Sequence, residues 1–202
     1  MKKTKTTWFQ KIEKMHPYQT LMYLGMLGSG LIFLFMTVAF LASGTGNMEG
    51  LGFKMPKSFI ISTLVILISG YTVSKMLLHF KEESLNKLKN SLLSTFLLGV
   101  LFTALQFLGW RELGTMGIDF RGLPSGSFLY VLSGIHIFHL IGAMIFGIIM
   151  LVKYNRTEKD DIQHLLLLTN PYEKMRITLF TTYWHFMDLI WLLLFLIFVL
   201  TF

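Results

Sequence analysis

Three histidines and one aspartate, His136, His139, His185 and Asp188, stand inside stretches of almost unbroken apolar sequence, as two pairs each spaced i, i+3. On a helix that spacing puts both members of a pair on one face. An ionisable side chain at bilayer depth is costly, so it faces a partner helix or a cavity and reads as functional by default. Four chemistries use such groups. Two imidazoles from different helices can ligate a haem iron from both sides. Asp and His can relay protons or ions, although one acidic residue in the apolar spans is thin for a transport path. A divalent metal needs a third ligand, and none is evident. In the fourth, the side chains satisfy one another and hold helices together, as buried polar residues in membranes often do. Physics alone favours the last.

The elements that must position these residues follow from composition. Hydrophobic residues make up 53% of the 202-residue chain and charged residues 14%, and the apolar residues are gathered into long runs, as in an integral membrane protein. Five spans are predicted: Leu21 to Leu41, Ser58 to Leu78, Ser91 to Trp110, Ser127 to Val152 and Ile177 to Phe202. Each has the roughly 20 residues that a helix needs to cross about 30 Å of hydrocarbon. The short alternating segments of a β-barrel are missing. The expected fold is all-α, one membrane domain over residues 1–202 built as a five-helix bundle. The first span follows a basic stretch, as a secretory signal does, but its apolar core is too long and lacks a small-residue cleavage site, so it is expected to remain. Cysteine does not occur in the chain, which excludes disulfides and thiolate metal sites.

The net charge of +7 points away from nucleic acid because of where it lies. Lys2, Lys3, Lys5, Lys11 and Lys14, with Lys75, Lys81, Lys87 and Lys89, and Lys153, Arg156, Lys159, Lys174 and Arg176, fall on one side of the predicted spans. Only Lys54, Lys57, Arg111 and Arg121 fall on the other. By the positive-inside rule the N-terminus is expected inside and the C-terminus outside. Trp8, Ile12 and Met15 recur at helical spacing between basic residues, which suits either a short helix on the inner membrane surface or a solvated tail. Gly44 to Gly52 reads as a turn rather than a phosphate loop, since it opens no βα unit.

Counting along the spans gives depth. At about 1.5 Å per residue, Asp188 lies about 16 Å and His185 about 12 Å above the inner end of the fifth span, His139 about 20 Å and His136 about 24 Å up the fourth, and Gln106 about 22 Å up the third. Asp188 is therefore level with His139, and Gln106 with His136. The expectation is one interhelical hydrogen-bond cluster.

Two runs carry a family resemblance. Gly126-Ser127-Phe128-Leu129-Tyr130-Val131-Leu132-Ser133-Gly134-Ile135-His136-Ile137-Phe138-His139-Leu140-Ile141-Gly142 resembles the signature helix of subunit III of haem-copper terminal oxidases. Tyr183-Trp184-His185-Phe186-Met187-Asp188-Leu189-Ile190-Trp191 resembles the last helix of the same family, in the right order. Pro56 to Thr72, with Ser69-Gly70-Tyr71-Thr72, and Gln106 ahead of Trp110 are also similar. The first span matches mainly in length and position.

The resemblance implies the short, five-helix bacterial form, a multi-pass protein of the inner (cytoplasmic) membrane. It implies that haem and copper belong to partner subunits and that this chain binds none. Members of the family pack against subunit I, in complexes that also contain subunit II, and hold phospholipid in a cleft. They sustain turnover and proton uptake while the complex reduces oxygen, with cytochrome c the expected electron donor and quinol the variant. Contacts to other respiratory complexes fit the same picture. Gln106, His136, His139, Trp184, His185 and Asp188 then form a buried polar cluster and a lipid or subunit contact, with no catalytic role. Two departures stand out. The family usually has an acidic residue in the first span, where this chain has none between Glu13 and Glu49 and Gly30 or Phe33 takes the place. The carboxylate that often follows the Gln of the third helix is Gly109 here. A role that depends on those carboxylates does not carry over, as in a diverged or second subunit III. The alternative from another class is a haem-bearing membrane anchor of a dehydrogenase, using His136 or His139 with His185.

Overall fold

The structure is a computed structural model that describes residues 15–43, 55–122, 124–157 and 161–201. The amphipathic stretch before Met15, the Gly44 to Gly52 turn and Phe202 lie outside the described residues. Among the described residues there are six helices: α1 (Pro17–Ala42), α2 (Lys57–Lys81), α3 (Leu85–Thr115), α4 (Pro124–Thr157), α5 (Asp161–Thr169) and α6 (Pro171–Thr201). Five of them are long and apolar enough to cross a membrane, in the expected order. α5 is an addition to the expected five. Its nine residues are too few to span, and it lies within the connection predicted between the last two spans.

Local chemistry starts and stops the helices. Pro17 occupies the first turn of α1, where its missing N–H costs nothing. His16 caps it: Nδ1 accepts from the Tyr18 N–H at 3.3 Å, and the Gln19 side chain accepts from the His16 N–H at 3.3 Å. The turn from α2 to α3 takes only Glu82, Glu83 and Ser84. There Glu83 adopts φ 54°, the Ser84 N–H donates to the His79 carbonyl and the Glu83 N–H to the Phe80 carbonyl. This pair of bonds around a left-handed residue is a Schellman closure, and it folds α3 back along α2.

α2 and α3 form the most extensive pair, α6 packs on α2 and α4, α3 packs on α4, and α1 leans on α4 and α6 from outside. α1 is the most peripheral of the spanning helices, burying only Phe33 and Phe40. The centre holds Trp184 and Trp191 of α6, Phe59 and Ile66 of α2, Leu92 and Phe102 of α3, and Leu132 and Leu140 of α4, all nearly or wholly enclosed. Gly109 explains the closeness of α2 and α3. A Cβ there would collide with the edge of the Phe59 ring, so glycine at this position is what seats that ring against Trp191, 5.9 Å away edge-on. The family's carboxylate would have no room here.

Candidate functional site

One bonding scheme recurs through the core. Serines and threonines donate their hydroxyl protons to carbonyls three or four residues back on their own helix, which leaves each oxygen free to accept. On α2, Ser62 and Thr63 donate to Phe59, Ser69 to Ile66 and Ser74 to Gly70, at 2.7–2.9 Å. Those oxygens then receive the N–H groups of other helices. Gln106 Nε2 donates to Ser62 at 2.8 Å, Trp191 Nε1 to Thr63 at 2.9 Å and Trp184 Nε1 to Ser69 at 3.0 Å. On α4, Ser133 donates to Leu129 and accepts from Trp110 Nε1 at 2.9 Å. α2 is therefore a ladder of acceptors, and α3 and α6 are fastened to it by buried donors. Sequence reasoning found Gln106 and Trp184 but missed the serine partners. Their signal was present, since Ser58, Ser62 and Ser69 lie four and seven residues apart on one helix face.

The expected single cluster is divided in the structure. His139 turns toward α1: its Nδ1 lies 2.8 Å from the Ile135 carbonyl and its Nε2 3.0 Å from Ser29 Oγ. A carbonyl only accepts, so Nδ1 is the donor to Ile135, and in the neutral tautomer Nε2 is the acceptor for Ser29. His136, on the same helix, is fully buried among the rings of Phe33, Phe102 and Trp191, with centroids 6.4, 5.5 and 5.2 Å away. Neither of its nitrogens has a partner among the described residues. Gln106 bonds Ser62 on the α2 side, with its Oε1 unpartnered among the described residues. Phe33 touches both histidines of α4 and Gly30 faces Phe186, so the phenylalanine stands where a first-span carboxylate would meet the imidazoles.

His185 and Asp188 do stay together, on the other side of α6. His185 Nδ1 is 3.5 Å from Asp188 Oδ2, and Nε2 is 3.0 Å from Ser74 Oγ. Because Ser74 has spent its proton on Gly70, Nε2–H must be the donor in that contact. The His185–Asp188 pair thus sits on one face of α6 and is tied through Ser74 to α2. The pair lines a notch of about 340 Å³ with Leu67, Gly70, Tyr71 and Ser74.

A second opening lies near the basic helix ends. Tyr18, Met22, Phe146, Tyr172, Arg176 and Tyr183 line a cavity of about 430 Å³ between α1, α4 and α6. Arg176 lies 5.7 Å from the ring centres of both Phe146 and Tyr172 and 3.3 Å from Glu173 Oε1, which also pairs with Lys153. Among the described residues no group of three or more His, Asp or Glu is gathered closely enough to hold a metal ion.

Comparison with known proteins gives a coherent result. Residues 18–201 match the family described as cytochrome c oxidase subunit III. A probable cytochrome c oxidase subunit 3 of Mycobacterium tuberculosis is 27% identical over 133 residues, covering 66% of this chain and 61% of that protein. Its counterpart in Mycobacterium bovis aligns equally. A probable quinol oxidase subunit 3 of Staphylococcus aureus is 24% identical over 165 residues, covering 80% of this chain and 77% of its own length. The alignment thus spans about three-fifths of the mycobacterial relatives.

Proposed function

The chain belongs to the cytochrome c oxidase subunit III family, and from that premise we propose that it is a non-catalytic component of a bacterial haem-copper oxidase, stabilising the catalytic subunit in the cytoplasmic membrane. The observation that carries this reading is the family match across nearly the whole bundle, first helix included. The core polar groups support it: hydroxyl ladders and indole donors fasten helices, which is the work of a scaffold. Haem and copper are assigned to partner subunits, and the chemistry of oxygen reduction to the catalytic subunit I. Cytochrome c is the donor we assign, although a relative is named for quinol oxidase.

Lipid binding belongs to the same reading. Arg176 and three tyrosines at the mouth of the larger cavity, with Phe146 and Phe180 within, would take a phospholipid with its phosphate at the guanidinium and its chains along the rings. The basic helix ends face the cytoplasm in this proposal.

Purification through a tag on this chain tests it. A haem-copper oxidase should come with it, and the chain separated from that complex should be colourless and yield phospholipid on extraction. A Soret band belonging to the separated chain would overturn the assignment in favour of the haem-bearing anchor.

A further inference from the structure

We propose that the groove between α2 and α3, near the Lys81 end of α2, binds the phosphate of a membrane lipid whose headgroup carries one net negative charge, with Lys75 as its cation. This is a second site, apart from the cavity between α1, α4 and α6. It rests on the chain being embedded through its five long apolar helices and not on the oxidase reading.

The residues that line the groove are of one chemical kind. Lys75 and His79 of α2 and Lys87, Asn90, Ser91 and Ser94 of α3 surround about 330 Å³, and each is able to donate a hydrogen bond. Their spacing makes two stripes: Lys75 and His79 are i, i+4, and Lys87, Ser91 and Ser94 are i, i+4 and i+7. The carboxylate at the rim, Glu82, is taken up by Lys87 at 3.6 Å and by His79 at 3.5 Å. Lys75 is left with no acidic partner among the described residues. Two ammonium groups against one carboxylate give the groove a surplus of one positive charge with His79 neutral, and a phosphodiester carries one negative charge.

Two local features point to an occupant. On the same helix, the hydroxyls of Thr95 and Thr103 donate to carbonyls four residues back at 2.8 and 2.9 Å. The side chains of Asn90, Ser91 and Ser94 instead make no hydrogen bond among the described residues, so their donors are open to the groove. The Lys75 ammonium lies 4.9 Å from the centre of the Tyr71 ring, one turn back toward the middle of the span. A lysine reaching for water would extend toward the helix end.

Depth and shape select a lipid. Lys75 and Ser91 each stand six residues inside the adjacent ends of their helices (81 − 75 and 91 − 85), about 9 Å at 1.5 Å per residue. The 31 residues of α3 extend about 46 Å against about 30 Å of hydrocarbon, so a centred helix leaves about 8 Å beyond it at each end. The groove therefore opens at the level of the headgroups. Deeper in, the surface turns apolar, with Ile68 of α2 and Leu97 and Leu101 of α3 exposed, a track for an acyl chain that a soluble phosphate would not use.

Crosslinking in nanodiscs of equimolar phosphatidylglycerol and phosphatidylcholine tests this, using the full chain with the subunits that co-purify with it. A photo-reactive residue at Leu97, one turn deeper than Ser94, should capture lipid about fivefold richer in phosphatidylglycerol than a control at Ile148 of α4, the preference that one lysine gives near the membrane surface. Lys75→Gln should bring the ratio at Leu97 down to that at Ile148. Lys81→Gln, which removes the same charge from the exposed end of the same helix, should leave the ratio in place. Equal ratios at the two positions in the parent chain, or equal loss from the two lysine variants, would overturn the site by showing only the diffuse attraction of basic helix ends. Adducts from Leu97 to another protein in place of lipid would overturn it in favour of a protein-covered groove. Collapse of the ratio in excess inorganic phosphate would overturn the lipid in favour of a soluble anion.

Discussion

His139 of α4 and Ser29 of α1 are joined at 3.0 Å between Nε2 and Oγ, a bond across 110 residues of sequence. It is a polar tie between the most peripheral spanning helix and the rest of the bundle, and with Nδ1 donating to the Ile135 carbonyl the neutral tautomer accepts from Ser29. Removing either partner leaves the other unsatisfied in hydrocarbon. We expect Ser29→Ala and His139→Leu to show a coupling of about 0.6 kcal/mol, rising toward 1.7, in a double-mutant cycle read by unfolding in detergent. The cycle between His139 and Asp188 should be additive, since the structure gives them different partners. Coupling in the second cycle and none in the first would refute this arrangement.

His136 should behave in the opposite way. An imidazole whose nitrogens find no partner among Phe33, Phe102 and Trp191 carries a desolvation cost that an apolar side chain does not. Replacement by Leu is expected to be neutral or stabilising by about 1 kcal/mol. A loss of more than that amount in the same unfolding measurement would mean that the ring has a hydrogen-bond partner after all.

These two histidines show what was legible in the sequence. The spans were, because about 20 consecutive apolar residues have one reading in a membrane chain. Their ends ran further than the hydrocarbon: α3 begins at Leu85 and α4 continues to Thr157, since polar residues extend a helix into the interface where hydropathy is blind. α5 was missed for the same reason, its Leu165 to Leu168 run being too short to register. Counting also placed His139 level with Asp188, but depth fixes only one coordinate. Which face meets which neighbour depends on the order of helices around the axis, and with α6 between α1 and α2 the two residues serve opposite sides. The i, i+3 rule succeeded for His185 and Asp188 because that pair needs one helix only.

The α2–α3 turn holds a stabilising opportunity. Glu83 sits at φ 54°, where a side chain is strained and glycine is not. Glu83→Gly is expected to raise stability by about 0.5–1 kcal/mol after the entropic cost of glycine is counted. An unchanged or lowered melting temperature would indicate that the Glu83 side chain makes compensating contacts.

Orientation can be checked because the chain has no cysteine of its own. Single cysteines at Ser84 and Asn155 should react with an impermeant thiol reagent only after the membrane is opened, and those at Ser43 and Asp119 in intact cells. The reverse pattern would overturn the inside assignment of the basic ends.

Deletion of this chain from its native oxidase tests the central claim most directly, through the reduced-minus-oxidised haem spectrum of the remaining complex together with its activity over repeated turnovers. The account predicts metal-centre spectra largely intact and a shortened turnover lifetime or impaired assembly. Loss of a haem signal in proportion to this chain alone, with subunit I present in full amount, would contradict it.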